Sequence, residues 1–262
     1  MKITLIAPFR YLEPDELHFK EAFEELGHEV LVNHFGSYLT VVMKGTWVDP
    51  RVLPSTIRFL IMPDNYERYR SYMDAVTPLY DRVFMFNKDP NIDGEHVIWL
   101  PAGYNPRVHY PEHGRKDIDV LFIGTKHPCR DWMENIPHLT AYGTGWNRNV
   151  TIEEKRGLYS RAKIVLNNHW ESMPGPNPRV FQALAHRSFL ITDKVVGIEE
   201  FGFIDDKHFI TYKNFHDLLQ KINYYLTHPD ERERIASQGH DFLVKGSNTF
   251  KDRVKIMLEA FT

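Results

Sequence analysis

The sequence has one cysteine, Cys129, among 262 residues. A single thiol excludes an internal disulfide and any site built from several thiolates, and it fits a reducing, cytoplasmic compartment. Net charge is nearly absent too: 32 Lys and Arg against 35 Asp and Glu leave −3 with neutral histidines. No overall field draws such a chain to a polyanion, so nucleic-acid binding would need a local basic patch. Apolar runs all fall well short of the roughly 20 residues that span a membrane. The opening MKITLIAPF has one basic residue and an apolar run ending at Pro8; it is too brief for a signal-peptide core and reads as a strand. Repeats and low-complexity tracts are missing. What is present is 42% hydrophobic and 26% charged, a globular composition with length for one large domain or two ordinary ones.

Apolar runs of strand length alternate with stretches of helical period, the pattern of βα units around a mainly parallel sheet. KITLIAPF (2–9) precedes PDELHFKEAFEELG (14–27), where Leu17, Ala22, Phe23 and Leu26 share a face and Gly27 is a stop signal. HEVLVNHF, LTVVM, RFLIMP, RVFMFN and HVIWLP continue to about residue 101. IDVLFIG (118–124) restarts the pattern, followed by HLTAYG, AKIVLNN, SFLITD and HFITY. Between the halves, PAGYNPRVHYPEHGRKD (101–117) is rich in proline and glycine and has no hydrophobic period, which sets the expected domains at 1–112 and 113–248. The expected fold class is α/β, with two doubly wound domains. TFKDRVKIMLEAFT (249–262) carries Phe250, Val254, Met257, Leu258 and Phe261 near helical spacing and is expected to form an amphipathic helix.

In open α/β sheets ligands collect beyond the carboxyl ends of the strands, so residues just after strands are the candidates for function. In FIGTKHPCR (122–130), Gly124 permits close backbone approach, and Thr125, Lys126 and Arg130 offer phosphate-binding groups; the other reading is a plain turn. In YGTGWN (142–147), Gly143 and its neighbour suit a tight turn, while Tyr142 and Trp146 either pack against a flat base or serve as core aromatics. KIVLNNHW (163–170) reads as a buried strand ending in polar Asn167, Asn168 and His169. The chain then passes a proline-rich loop to RVFQALAHRSF, where Val180, Ala183 and Leu184 place a helix from about 178, with Pro178 in its first turn. Its N-terminus with Arg179 beside it would make a diphosphate-sized anion site, and Gln182 would reach a neighbouring hydroxyl. Alternatively, Arg179 pairs with Glu171 or Asp193 and the prolines stiffen a turn.

Taken in order, DIDVLFIGTKHPCR, YGTGW, AKIVLNNHW, GPNPRVFQALAHRSFLITD, GIEEFG, YYLTHPDERERIASQGHDFL and TFKDRV, between residues 117 and 254, resemble the CgeB-like, group 1-like glycosyltransferases. The first half is similar more loosely, in MPDNYER, YDRVFMFNKD and VIWLPAGYNPRVHYP. The resemblance implies a GT-B architecture of two Rossmann-like domains, with a nucleoside-diphosphate sugar held mostly by the second. It implies a final helix crossing back to the first domain, no cofactor besides the donor and no metal. Gln182 stands where the family has a glutamate on the ribose, and Pro174 where an acidic residue often contacts the transferred sugar. The sugar would then be held otherwise, by backbone amides around Gly175 and by Asn177.

The donor set implied is therefore Gly124, Thr125, Lys126, Arg130, Tyr142, Gly143, Trp146, Asn167, Gly175, Asn177, Arg179, Val180 and Gln182. Arg179, Arg130 and Lys126 would stabilise charge on the departing diphosphate. An inverting enzyme also needs a general base; Asp64, directly after a strand, is the first choice and Asp15, which also suits a helix cap, the second. A retaining enzyme needs neither. His18, His34 and the carboxylates of DID (117–119) read as structural. The acceptor is a saccharide, a protein or a modified base in DNA. For DNA the first half offers Arg51, Arg58, Arg68, Arg70, Arg82, Lys88 and Arg107 with Tyr66, Tyr69 and Tyr72, but from 44 to 107 eight Lys and Arg are matched by eight Asp and Glu. A nucleotide-sugar epimerase or isomerase, or a non-catalytic sensor, would fit the same scaffold.

Overall fold

The β-branched and aromatic runs of the first half become six parallel strands: β1 (Lys2–Ile6), β2 (Glu29–Val32), β3 (Leu39–Met43), β4 (Ile57–Met62), β5 (Arg82–Met85) and β6 (Val97–Trp99). They lie in the order β2-β1-β3-β4-β5-β6. The second half supplies β7 (Ile118–Ile123), β8 (Leu139–Tyr142), β9 (Ala162–Asn167), β10 (Leu190–Thr192) and β11 (Ile210–Thr211), parallel and ordered β11-β10-β9-β7-β8. The helices among the described residues are α1 (Asp15–Glu25), α2 (Arg70–Val76), α3 (Ile152–Arg161), α4 (Pro178–Ala185), α5 (Phe215–Thr227), α6 (Pro229–Lys245) and α7 (Phe250–Glu259), with short 3-10 turns between. This computed structural model describes residues 1–8, 15–44, 48–54, 56–63, 70–88, 94–169 and 174–260.

Two units result, one of residues 1–103, 172–175 and 249–262, the other of 104–171 and 176–248. The core of unit 1 includes Ile6, Val42, Leu60, Met62, Met73 and Val83. That of unit 2 includes Val120, Phe122, Ile164, Leu166, Phe189 and Ile222. Strands buried on both faces explain why these runs are continuously apolar rather than alternating. The segment 104–112, expected to close the first domain, makes its contacts in unit 2: the Tyr104 N–H donates to the Asn248 carbonyl (3.1 Å) and the Glu112 N–H to Ser160 Oγ (3.0 Å).

α7 belongs to unit 1. Thr249 caps it in a box with Asp252, and Phe250 stacks on His18 (4.9 Å between ring centroids) and meets Phe19 edge-on (5.2 Å) on α1. Arg253, almost fully buried, donates Nε to the Pro101 carbonyl at 2.8 Å, and burial pushes its guanidinium down to about 10. Each sheet has one place where successive strands depart in opposite directions. It lies between β1 and β3 in unit 1 and between β7 and β9 in unit 2, and such crevices are where open α/β sheets receive ligands.

Candidate functional site

β7 ends at Ile123, and a Cβ on the next residue, Gly124, would lie 2.2 Å from Arg179 Nη2. Only glycine lets the guanidinium cross the strand end at this separation. The Gly124 N–H donates to the Tyr142 carbonyl (2.9 Å), and Gly143 (φ 120°) presses on the Gly124 carbonyl so closely that its own Cβ would come within 2.3 Å. β9 ends at fully buried Asn167. α4 follows Asn177, whose side-chain oxygen accepts the Arg179 N–H (3.1 Å) and whose carbonyl accepts the Val180 N–H (3.1 Å). Asn177 donates its own N–H to His169 Nε2 (3.4 Å), and Pro178 has none to offer. The first amides of α4, which the sequence reading left open to a ligand, are thus satisfied by the cap.

Beside the capped terminus lie two arginine side chains. Arg179 donates Nε to the Ile123 carbonyl (2.7 Å) and Nη1 to Asn167 Oδ1 (2.5 Å). Arg130, 6% exposed, donates to the carbonyls of Thr125 (2.9 Å) and Asn168 (2.8 Å), and its Nε has no partner. Both guanidiniums sit on the ring of Phe122, 4.5 Å (Arg179) and 5.4 Å (Arg130) from its centroid. Every acceptor named is neutral, and among the described residues neither arginine is in ion-pair reach of a carboxylate. Asp193 therefore does not neutralise Arg179, and Glu171 lies outside the described residues. Although Arg179 is partly accessible, burial of its guanidinium, and then the charge of Arg130, push it down to about 10; burial also lowers Arg130. Both stay protonated at neutral pH. Two like charges hydrogen-bonded to neutral acceptors, with the charge of Asp193 acting on both from beyond ion-pair distance, form an arrangement that an anion would stabilise.

Asp193, just after β10, organises the rest. It accepts the His169 N–H (2.8 Å), contacts His169 Nδ1 at 2.6 Å, and accepts Asn168 Nδ2 (3.2 Å). With Nδ1 donating to Asp193, Nε2 is free to accept from Asn177, so one carboxylate reaches the start of α4 through the ring. Asn168 Nδ2 also donates to the Tyr212 hydroxyl (3.1 Å), and burial followed by the charge of Asp193 raises that phenol well above its usual range. Sequence reasoning named Asn167 but not Asp193 or His169 as members; the polar run closing a buried strand was the signal.

The other expected residues divide. Lys126 pairs with Glu134 (2.5 Å) and lies over Trp146 (5.3 Å), so its charge is already engaged. Trp146 meets Phe122 edge-on (6.0 Å) with its Nε1 buried and unpartnered, Tyr142 is half-buried under Arg148 (5.5 Å), and Thr125 is exposed. Gln182 is half-buried one turn into α4, where its backbone carbonyl accepts from His186. Gly175 (φ 137°) packs in unit 1, where its Cβ would come 3.1 Å from the Phe86 carbonyl, and the Pro174 carbonyl accepts the Lys88 N–H (2.6 Å).

Asp64 lies outside the described residues, as do Arg68, Tyr66 and Tyr69, and Asp15 is half-buried at the start of α1. Beside it, and missed by the sequence reading, Glu16 is fully buried at the β1/β3 crevice. Neither of its carboxyl oxygens has a hydrogen bond, and Lys44 Nζ stands 3.7 Å away. Of the residues offered for DNA, Arg51 is paired with Asp49 (2.7 Å), the Arg58 N–H is held by Asp81 (2.8 Å) and Tyr72 donates to the Val48 carbonyl (2.9 Å). In DID, Asp117 pairs with Arg161 (2.8 Å) and Asp119 with Lys163 (2.5 Å). Among the described residues no group of three or more His, Cys, Asp or Glu is arranged to hold a metal ion.

The sequence model of a family described as glycosyl transferase-like matches residues 115–259, more than half of the chain and all of the arginine site. The chain belongs to the glycosyl transferase-like family. No curated protein matches this glycosyltransferase in sequence. Among solved structures it is similar to HepE of Anabaena, determined with UDP and glucose, at a TM-score of 0.71 and 12% identity over 100% of this chain and 99% of that one. It is similar to the T4 phage BGT, determined with its UDP-glucose substrate, at 0.69 and 12% over 99% of each. TarM matches at 0.67 and 10% over 86% of this chain, which spans 54% of TarM. At these identities the likeness establishes the fold: GT-B, with two Rossmann-like sheets.

Proposed function

We propose that this glycosyltransferase moves a sugar from a nucleoside-diphosphate sugar to an acceptor hydroxyl, with the diphosphate on Arg130 and Arg179. The observation that carries the reading is the pair of guanidiniums on Phe122, protonated, poorly hydrated and matched only by neutral acceptors. As the bond from the anomeric carbon to the diphosphate oxygen breaks, negative charge grows on the leaving group. Two cations fixed before the reaction then stabilise the transition state more than the ground state. Gly124 and Gly143 give the phosphates their approach, Asn167 and Asn177 hold Arg179 and α4 in place, and Tyr142 and Trp146 offer flat faces to the base. Gln182 and Val180 lie one turn along α4, with Gln182 for the ribose. Lys126, already paired, has a lesser part. Gly175 is left out of the donor set, since its neighbours are in unit 1.

UDP is the nucleotide we favour, because HepE was determined with UDP and glucose and BGT with UDP-glucose. BGT is described as a DNA-modifying enzyme; of the DNA candidates in unit 1 Arg51 is neutralised by Asp49, while Arg58 and Arg82 donate to main-chain carbonyls, and the acceptor is a saccharide, a protein or a modified base in DNA. Asp64 and Asp15 are retained as candidates for the general base of an inverting reaction, joined by Glu16. A cytoplasmic setting is inferred from the lone cysteine; among the described residues no helix is long and apolar enough to cross a membrane.

Thermal shift and turnover with a panel of nucleotide sugars test the reading. UDP and UDP-glucose are expected to raise the melting temperature, R179A to abolish that shift, and EDTA to leave turnover unchanged. Failure of every nucleotide sugar to stabilise the protein, with no hydrolysis or transfer, would overturn it.

A further inference from the structure

Beyond the carboxyl ends of β10 and β11, unit 2 holds a cavity of about 620 Å³. That is within the roughly 300–1,000 Å³ typical of small-molecule sites. Val195, Ile198 and Phe203 give it an apolar wall, and Asp193, Glu199 and Tyr212 supply polar groups. Two of these belong at once to the arginine network: Asp193 holds His169 and Asn168, and the Tyr212 hydroxyl accepts from the same Asn168 whose carbonyl holds Arg130. The cavity and the anion site are thus the two sides of one wall.

The strand order gives the direction. Along the carboxyl edge of the sheet come Tyr142 and Trp146 at β8, the arginines at β7 and β9, and the cavity at β10 and β11, with neighbouring strands about 4.8 Å apart. A nucleoside-diphosphate sugar has the same order of parts: a flat base with its ribose, two phosphates, a sugar. With the base at β8 and the phosphates on Arg130 and Arg179, the sugar falls at β10 and β11. Pro174 cannot offer the carboxylate often found at its position, and its carbonyl is engaged by Lys88. The Glu199 carboxylate, by contrast, is exposed and has no hydrogen bond or ion pair with the described residues.

We propose that this cavity is the donor-sugar subsite, in which Glu199 accepts hydrogen bonds from the sugar hydroxyls while Ile198 and Phe203 cover the apolar face of the ring. The proposal rests on the nucleotide-sugar reading above and names the part of the molecule that selects the sugar.

Calorimetric binding of UDP and of UDP-sugars to the wild type, E199Q and I198W tests it. In I198W an indole occupies the cavity; in E199Q an exposed carboxylate changes without threat to folding. UDP is expected to bind all three proteins alike. The preferred UDP-sugar should lose about tenfold in affinity in each variant, the effect of removing one charge-assisted hydrogen bond or crowding the ring, and E199Q should also reorder the preference among sugars. If UDP itself weakens in step, the cavity holds the nucleoside and the proposal is wrong; if E199Q changes neither ligand, it is wrong as well. A wild type that binds no UDP removes the underlying reading instead, a result distinguishable from both.

Discussion

Arg179 lies over Gly124 at a separation that no Cβ permits, and this makes the glycine part of the proposed anion site although it contributes no side chain. G124A must push the guanidinium away from the Ile123 carbonyl or from Asn167. Weakening of UDP by about tenfold is expected, the worth of one misplaced charge-assisted hydrogen bond, with little change in melting temperature; isothermal calorimetry and a thermal melt read both. Glu16 makes the opposite case. A carboxyl group buried without a hydrogen bond, with only an ion pair at 3.7 Å, costs folding free energy that a structural role alone does not explain. E16Q keeps the shape and removes the charge, so it should raise the melting temperature by about 2 °C or more while lowering transfer; a variant that melts lower would mark Glu16 as a simple structural ion pair. Of these residues, the places of Gly124 and Asn167 at strand ends and of Arg179 at a helix start were legible in the sequence, because each follows an apolar run or opens a helical period. Asp193 and Glu16 were not, since their meaning comes from partners 24 to 28 positions away that only folding brings together.

At the scale of elements, the strands were readable because both sheets are parallel and buried on both faces, which leaves unbroken apolar runs between polar punctuation. The state of the α4 terminus was not readable. Asn177 at the cap predicts a helix start, but whether its oxygen or a ligand satisfies the first amides is decided by the His169 and Asn167 contacts that hold it. α7 shows the same division: its period gave the helix, while its place on α1 depends on Phe250 meeting His18 and Phe19. F250A removes a ring that is 2% exposed, and about 3 kcal/mol of stability should be lost through the cavity left behind. Chemical denaturation of the variant should show a lower midpoint in the transition of unit 1. An unchanged midpoint would mean that α7 contributes nothing to that unit.

For the whole molecule, 32 basic and 35 acidic residues are nearly balanced, and acid is a direction of stress because one histidine and three carboxylates lowered by folding act with the same sign. His208 is lowered from 6.5 by burial first and then by the charge of Lys207; its Nδ1 accepts the Ile204 N–H (3.0 Å) and its ring stacks on Phe242. Glu154 is lowered from 4.5 by its hydrogen bond to Arg148 and then by the Thr151 N–H. Asp117 is lowered from 3.8, chiefly by Arg161, and Asp49 from the same value, chiefly by Arg51. A group whose folded value lies below its unfolded one binds more protons when unfolded, so the stability it contributes is complete above the unfolded value and disappears as pH falls through the folded one. The melting temperature is therefore expected to be level between about pH 7 and 9, to fall first below about pH 6.5 as His208 is forced to protonate, and to fall again below about pH 4 as the carboxylates lose their arginines. H208Q should shrink the first fall, to which His28, also lowered by burial and then by the N-terminal charge, adds its part, and E154Q should blunt the second. A melting temperature that rises between pH 7 and pH 4 would contradict the sign of every shift named and would place the controlling titration elsewhere in the chain.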